Sequence, residues 1–177
     1  MGIELIPRLG RRLKGLMITG TPPVPRGGLE RGFKGMSDSG SHIGIAEAET
    51  LSEEEIVAFA EASAGIQFGG IMQPWIEASV RRTDGRARKD MFAAFRKGEG
   101  IDQQSTLEGE TRVLVGVVNG GSEPYVDLEF CDGLKYGNLW RGKCVRLDGL
   151  GHSPFWENWE AFEPVLREFV DDVTGSV

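Results

Sequence analysis

One histidine and one glutamate offer acid–base chemistry in this sequence. His152 lies in "VRLDGLGHSPFWENWEAFEPVLREFVDDV", after an apolar stretch and a turn that places Gly149 and Gly151 before it and Pro154 after it. Glu123 follows "VLVGVVNGGS", a second stretch of the same kind. Functional groups in open parallel sheets collect just past the carboxyl ends of strands. The separation of the two residues matches one crossover unit of roughly 30 residues, which would set them on adjacent strand ends. A buried carboxylate that accepts a hydrogen bond from one imidazole nitrogen fixes the tautomer and stabilises the imidazolium. The other nitrogen is then free to act as a base.

The elements that must position this pair can be read from the pattern. "KGLMITG", "TRVLVGVVNGG" and "GKCVRLDG" predict buried strands over residues 14–20, 111–119 and 143–148. Their apolar residues run together, as suits parallel strands covered on both faces. "PYVDLEFCDGL" predicts a short helix with Pro124 at its first position, and "NWEAFEPVLREFVDDV" a closing amphipathic helix. Strand, helix, strand, helix from Thr111 onward is the order of right-handed crossovers. "GIELIPRLGRRL" reads as a helix limited by Pro7. The segment from Thr21 to Gly44 is rich in Pro, Gly and Ser and reads as a long loop. Residues 51–100 read as three helices. The first has Ser52 and Glu55 as a capping box and Gly65 as its stop; the third has Thr83 or Asp84 as its cap. Met91, Phe92 and Phe95 would be buried there. The expected layout is an α/β core from residues 1–22 and 105–177, with a loop and an all-helical excursion over 23–104.

Composition narrows the partners. The chain has 177 residues, 40% hydrophobic and 27% charged, with a formal net charge of −7. That length suits one domain with a substantial core. The acidic balance argues against nucleic acid or an anionic membrane surface. The basic clusters at 11–14 and 80–90 read as solvated helix faces. No apolar run approaches the ~20 residues of a membrane span, and "MGIELI" lacks the order of a signal peptide. Cys131 and Cys144 form neither a CxxC pair nor a disulfide framework, so they read as buried thiols in a reducing, cytoplasmic setting. No metal site or cofactor motif is visible. His42, in "SGSHIG", reads as an ordinary loop histidine.

On "TRVLVGVVNGGSEP" and "DGLGHSPFWENWEAFEPVLREFV" the sequence resembles the α/β-hydrolases. The first segment is similar to the family's seventh strand and acid loop. The second is similar to its histidine loop and closing helix. "LKGLMITGTPPV" looks like the sixth strand, and residues 51–100 look like the helical cap. The resemblance implies Glu123 as the triad acid, with Asp127 in reserve because Asp is commoner there, and His152 as the base. It also implies a serine nucleophile on a Gly-x-Ser-x-Gly turn ahead of both. No serine here has glycines two before and two after it. Ser63 lies in a helix, Ser41 follows no strand, and Ser122 is crowded by Glu123 and Pro124. Cys131 and Cys144 fall inside a helix and a strand.

The resemblance therefore implies the C-terminal part of a hydrolase, as from a truncated gene model or a pseudogene-like locus. The ancestral chemistry would be hydrolysis of a small apolar ester-like substrate through a serine, and the chain as it stands would be inactive. A second reading is a non-catalytic binding module that keeps the cap and its pocket. A third is complementation, in which a separate polypeptide supplies the N-terminal half with strands one to five and the serine. Phe68, Trp75, Phe92 and Phe95 of the cap, and Phe155 and Trp156 after the histidine, are core aromatics that could also wall a pocket.

Overall fold

The computed structural model of the chain describes residues 2–36 and 42–175, the side chain of His42 aside. Ser41 and the His42 side chain, both weighed in the sequence, lie outside the described residues. In chain order the elements are α1 (Gly2–Leu9), β1 (Gly15–Ile18), α2 (Leu29–Gly32), α3 (His42–Glu47), α4 (Glu53–Ala64), α5 (Pro74–Arg82) and α6 (Gly85–Arg96). They continue with α7 (Gln103–Gly109), β2 (Leu114–Gly120), α8 (Leu128–Asp132), β3 (Val145–Leu147), α9 (Pro154–Glu157) and α10 (Trp159–Thr174).

Three parallel strands form one sheet in the order β1-β2-β3. Leu16 sits opposite Val115, and Asn119 opposite Arg146. β2 is the central strand and is buried along nearly its whole length. Its β-branched residues alternate between two packed faces, the arrangement that a parallel sheet requires. Val115 and Val117 meet Ile3 and Ile6 of α1 and Leu107 of α7. Leu114 and Val118 meet Trp140 and the α10 residues Phe162 and Phe169. The strand order thus brings the carboxyl ends of β2 and β3 side by side.

Between residues 42 and 96 the regular structure is helical, in α3, α4, α5 and α6. The predicted capping box is present: the Glu55 N–H donates to the Ser52 hydroxyl at 3.2 Å, and the Ser52 N–H donates to the Glu55 carboxylate at 2.7 Å. Ala60, Ala64 and Ile76 pack α4 on α5 and carry Trp156 from the core with them. Asp84, rather than Thr83, caps α6. The basic cluster at 80–90 is met by acids: Arg81 by Glu53 and Glu77, and Lys89 by Glu49, each at 2.7 Å.

Several expectations need correction. α1 runs through Pro7 to Leu9, because Ile3 and Ile6 bury its inner face. That burial outweighs the one helical bond that a proline forfeits. The segment read as one long loop carries α2 and α3. α7 was not foreseen, and it spans the expected core boundary at residue 105. It is capped by Asp102, which accepts the Ser105 N–H at 2.8 Å. Pro124 does not open a helix; α8 begins at Leu128 behind the Asp127 cap. Met91 is 49% exposed and Trp75 57%, so neither is a core residue here. Cys144 precedes β3 rather than lying within it.

Both cysteines are free thiols. Burial, joined by neighbouring charge, pushes each up to about 12. A thiol held protonated is a poor nucleophile. Both are therefore expected to resist iodoacetamide at pH 8 in the native chain and to label fully after denaturation. Mass spectrometry reads this directly, and prompt native labelling would contradict it.

Candidate active site

The carboxyl end of β2 builds the site. Beyond Gly120 the chain turns, and backbone bonds stitch that turn to the loop after β3. The Gly121 N–H donates to Leu147 C=O at 2.7 Å, and the Ser122 N–H to Leu150 C=O at 2.8 Å. These bonds fix where Glu123 and His152 stand relative to each other.

His152 Nδ1 lies 3.0 Å from both carboxylate oxygens of Glu123. The Glu123 side chain has no solvent exposure, whereas that of His152 is 32% exposed. With Nδ1–H donating to the acid, the neutral ring carries its lone pair on Nε2. Glu123 Oε1 also accepts the Tyr125 N–H at 2.8 Å and the Val126 N–H at 3.3 Å. Burial alone would raise this carboxyl. The hydrogen bond and charge of His152, with the two backbone donors, more than offset it and hold the group below its ordinary 4.5.

The structure brings Glu123, and not Asp127, to the imidazole. Asp127 caps α8, accepting the Phe130 N–H at 3.1 Å, while the imidazole is paired with Glu123. Ser63 lines the same cavity as His152, but its hydroxyl donates back to Phe59 C=O at 2.7 Å within α4. Ser122 is exposed on the turn. Among the described residues the hydrogen bonds of the imidazole run from Nδ1 to Glu123.

A lowered carboxyl pKa carries a definite sign. Glu123 contributes its full stabilisation above about pH 4.5 and loses it as pH falls through the lower native value. Thermal melts between pH 7 and pH 3 are expected to drop more steeply for the wild type than for Glu123→Gln. Parallel curves would refute this.

Above the imidazole lies a cavity of about 260 Å³ lined by Phe33, Ile43, Phe59 and Phe92, with Tyr125 and His152 at one end. Segments far apart in the chain supply it. Phe33 arrives because the segment after α2 bridges to the acid loop, the Lys34 N–H donating to Tyr125 C=O at 2.7 Å. Ile43 comes from α3, and Phe59 and Phe92 from α4 and α6. Of the aromatics considered from the sequence, only Phe92 is among its lining residues; Phe155 and Trp156 are not. The Tyr125 ring meets the imidazole edge-on, with centroids 4.9 Å apart.

Sequence reasoning missed Gly20 and Asn119. The buried Asn119 side chain accepts the Gly20 N–H at 2.8 Å, tying the end of β1 to β2. Gly20 has φ +65°, and a Cβ there would lie 3.0 Å from His152 Cε1 and 3.3 Å from Nε2. Gly20→Ala is expected to cost about 1–2 kcal/mol from left-handed strain and to shift the imidazole resonances. Unchanged histidine chemical shifts would count against this contact.

Among the described residues no cluster of His, Cys, Asp and Glu could hold a metal ion. No described helix is long and apolar enough to cross a membrane.

No protein-family profile matches the sequence, and no curated protein matches it. Solved structures do. N-acyl homoserine lactonase AidH, as a serine-to-glycine mutant complexed with N-hexanoyl homoserine lactone, is 40% identical with a TM-score of 0.88, over 98% of this chain and 60% of that one. AidH complexed with N-butanoyl homoserine is 39% identical with a TM-score of 0.87, over the same 98% and 60%. The esterase RhEst1 from Rhodococcus sp. ECU1013 is 16% identical with a TM-score of 0.63, over 97% and 61%, a likeness of fold alone. The chain thus spans about three fifths of the length of these proteins.

Proposed function

Because this chain belongs to the α/β-hydrolase superfamily, we propose that it carries the acid–base half of a serine hydrolase that opens small acylated lactones or related esters. The observation that carries the proposal is the Glu123–His152 pair, with Nδ1 committed to a buried carboxylate and the imidazole lining an apolar cavity. Its size, just under the ~300 Å³ lower end of ordinary ligand pockets, suits a short acyl chain. The likeness to AidH supports a lactone as the reacting group.

The step follows from the pair. As a hydroxyl attacks the substrate carbonyl, its proton passes to Nε2, and Glu123 stabilises the imidazolium. The tetrahedral intermediate collapses, the proton moves to the departing alkoxide, and water then releases the acyl group by the same route. The attacking hydroxyl comes from residues outside these 177, since no Gly-x-Ser-x-Gly turn occurs among them. On this reading the chain alone is inactive and works with a complementing N-terminal polypeptide. The two free thiols support placing it in the cytoplasm.

The test pairs a fluorophosphonate probe with N-hexanoyl homoserine lactone. The chain alone should show neither labelling nor ring opening. Mixed with the serine-bearing N-terminal segment of AidH, it should yield labelling on that segment and lactone opening that His152→Ala abolishes. Labelling of a serine within this chain would overturn the reading. The preformed cavity also favours a second reading, a non-catalytic binding module. Calorimetry would then show the intact lactone binding to the chain alone, with no activity restored on mixing.

A further inference from the structure

We propose that Glu157 is a positioning residue for His152, one that transmits the placement of the helical cap to the imidazole. Glu157 is 8% exposed and ends α9. Its carboxylate accepts the backbone N–H of Gly151, and that of Ser153 at 2.9 Å. These are the two residues that flank His152. No cation pairs with Glu157 among the described residues, so the loop amides are the hydrogen-bond donors recorded for its buried carboxylate. Two fixed amides, one on each side of a residue, set the direction of the side chain between them.

The cap presses on the same group. Gly65, the left-handed stop of α4 with φ +62°, sits where any side chain would overlap the Glu157 carboxylate. The Ser153 hydroxyl donates to Ser63 C=O at 3.4 Å, and Trp156 Nε1–H donates to Ile71 C=O at 3.1 Å. The ring of Phe68 lies against Gly151. A shift of the cap is therefore felt first at the carboxylate that holds the histidine loop.

The inference rests on His152 acting as the base, but its test reads imidazole geometry rather than turnover. It can therefore fail while that role stands. In the full chain, the low-field Nδ1 proton of His152 and the exchange of the Gly151 and Ser153 amides are followed by NMR. Glu157→Ala is expected to erase the Nδ1 signal and speed both amides at least tenfold, with the amides of β2 unchanged. Glu157→Gln, which keeps an acceptor oxygen, should retain the signal and protect one amide. An intact signal in the alanine variant would overturn the proposal. If that variant does not fold, Gly65→Ala decides: pushed from the cap side, the same two amides should exchange faster, and unchanged rates would refute the coupling.

Discussion

Replacing Glu123 with alanine is expected to cost about 3–5 kcal/mol, the sum over several hydrogen-bond donors left without their acceptor. For a chain of this length that lowers Tm by about 10 °C. The cause is the number of donors that converge on one carboxylate. Tyr125 N–H, Val126 N–H and His152 Nδ1 all point at Glu123, and Val126 is fully buried. Each donor left without an acceptor costs about 1–3 kcal/mol where water cannot reach it. Glu123→Gln keeps one oxygen for the two amides but loses the charge and replaces the other oxygen with a donor, so a smaller loss of about 1–2 kcal/mol is expected. Asp127→Ala provides the contrast. It removes a helix cap worth about 1 kcal/mol and leaves the imidazole as it was. Denaturant melts of the three variants, read beside the Nδ1 proton, separate these outcomes. A Glu123→Ala chain within about 1 kcal/mol of the wild type would mean that the turn satisfies its donors some other way.

The parts of this site that local chemistry dictates were legible in the sequence. "VLVGVV" can hardly be anything but a buried strand, and Ser52 with Glu55 announces a helix start. The spacing of Glu123 and His152 then follows from one crossover. Other parts depend on contacts between distant segments. Pro124 suggests a helix start, yet the Glu123 carboxylate captures the next two N–H groups and delays α8 to Leu128. Phe33 reaches the cavity because its segment bridges to the acid loop, and Ile43 because α3 packs on α4 and α6, which no periodicity records. Gly20 has no side chain to advertise its place under the imidazole. Glu157 belongs to the stretch that resembles the family's histidine loop, but nothing in that stretch names its partners. Its role appears only once the amides of Gly151 and Ser153 are seen to converge on it.

Gly120→Val should be the most damaging change at the carboxyl end of β2, because there the backbone itself leaves no room. Gly120 pairs with Leu147 in register, and the chain after it hangs from the carbonyls of Leu147 and Leu150. A Cβ at position 120 would fall on the carbonyl oxygens of Leu150 and Gly151. Those atoms belong to the histidine loop and cannot rotate away as a side chain could. Overpacking of a core costs about 1–3 kcal/mol where side chains can yield, so a loss of at least about 3 kcal/mol is expected here. The clash would also drive the loop away from β2 and open the gap between Glu123 and His152. Gly120→Ala is the milder probe: it adds one methyl group at the same spot and should already weaken the Nδ1 hydrogen bond. Thermal melts give the stability, and the shift of the Nδ1 proton gives the separation of acid and base. If the alanine variant melts with the wild type and its imidazole proton does not move, the two strand ends are not held together by this contact. The stitching bonds at Gly121 and Ser122 alone would then have to fix the pair.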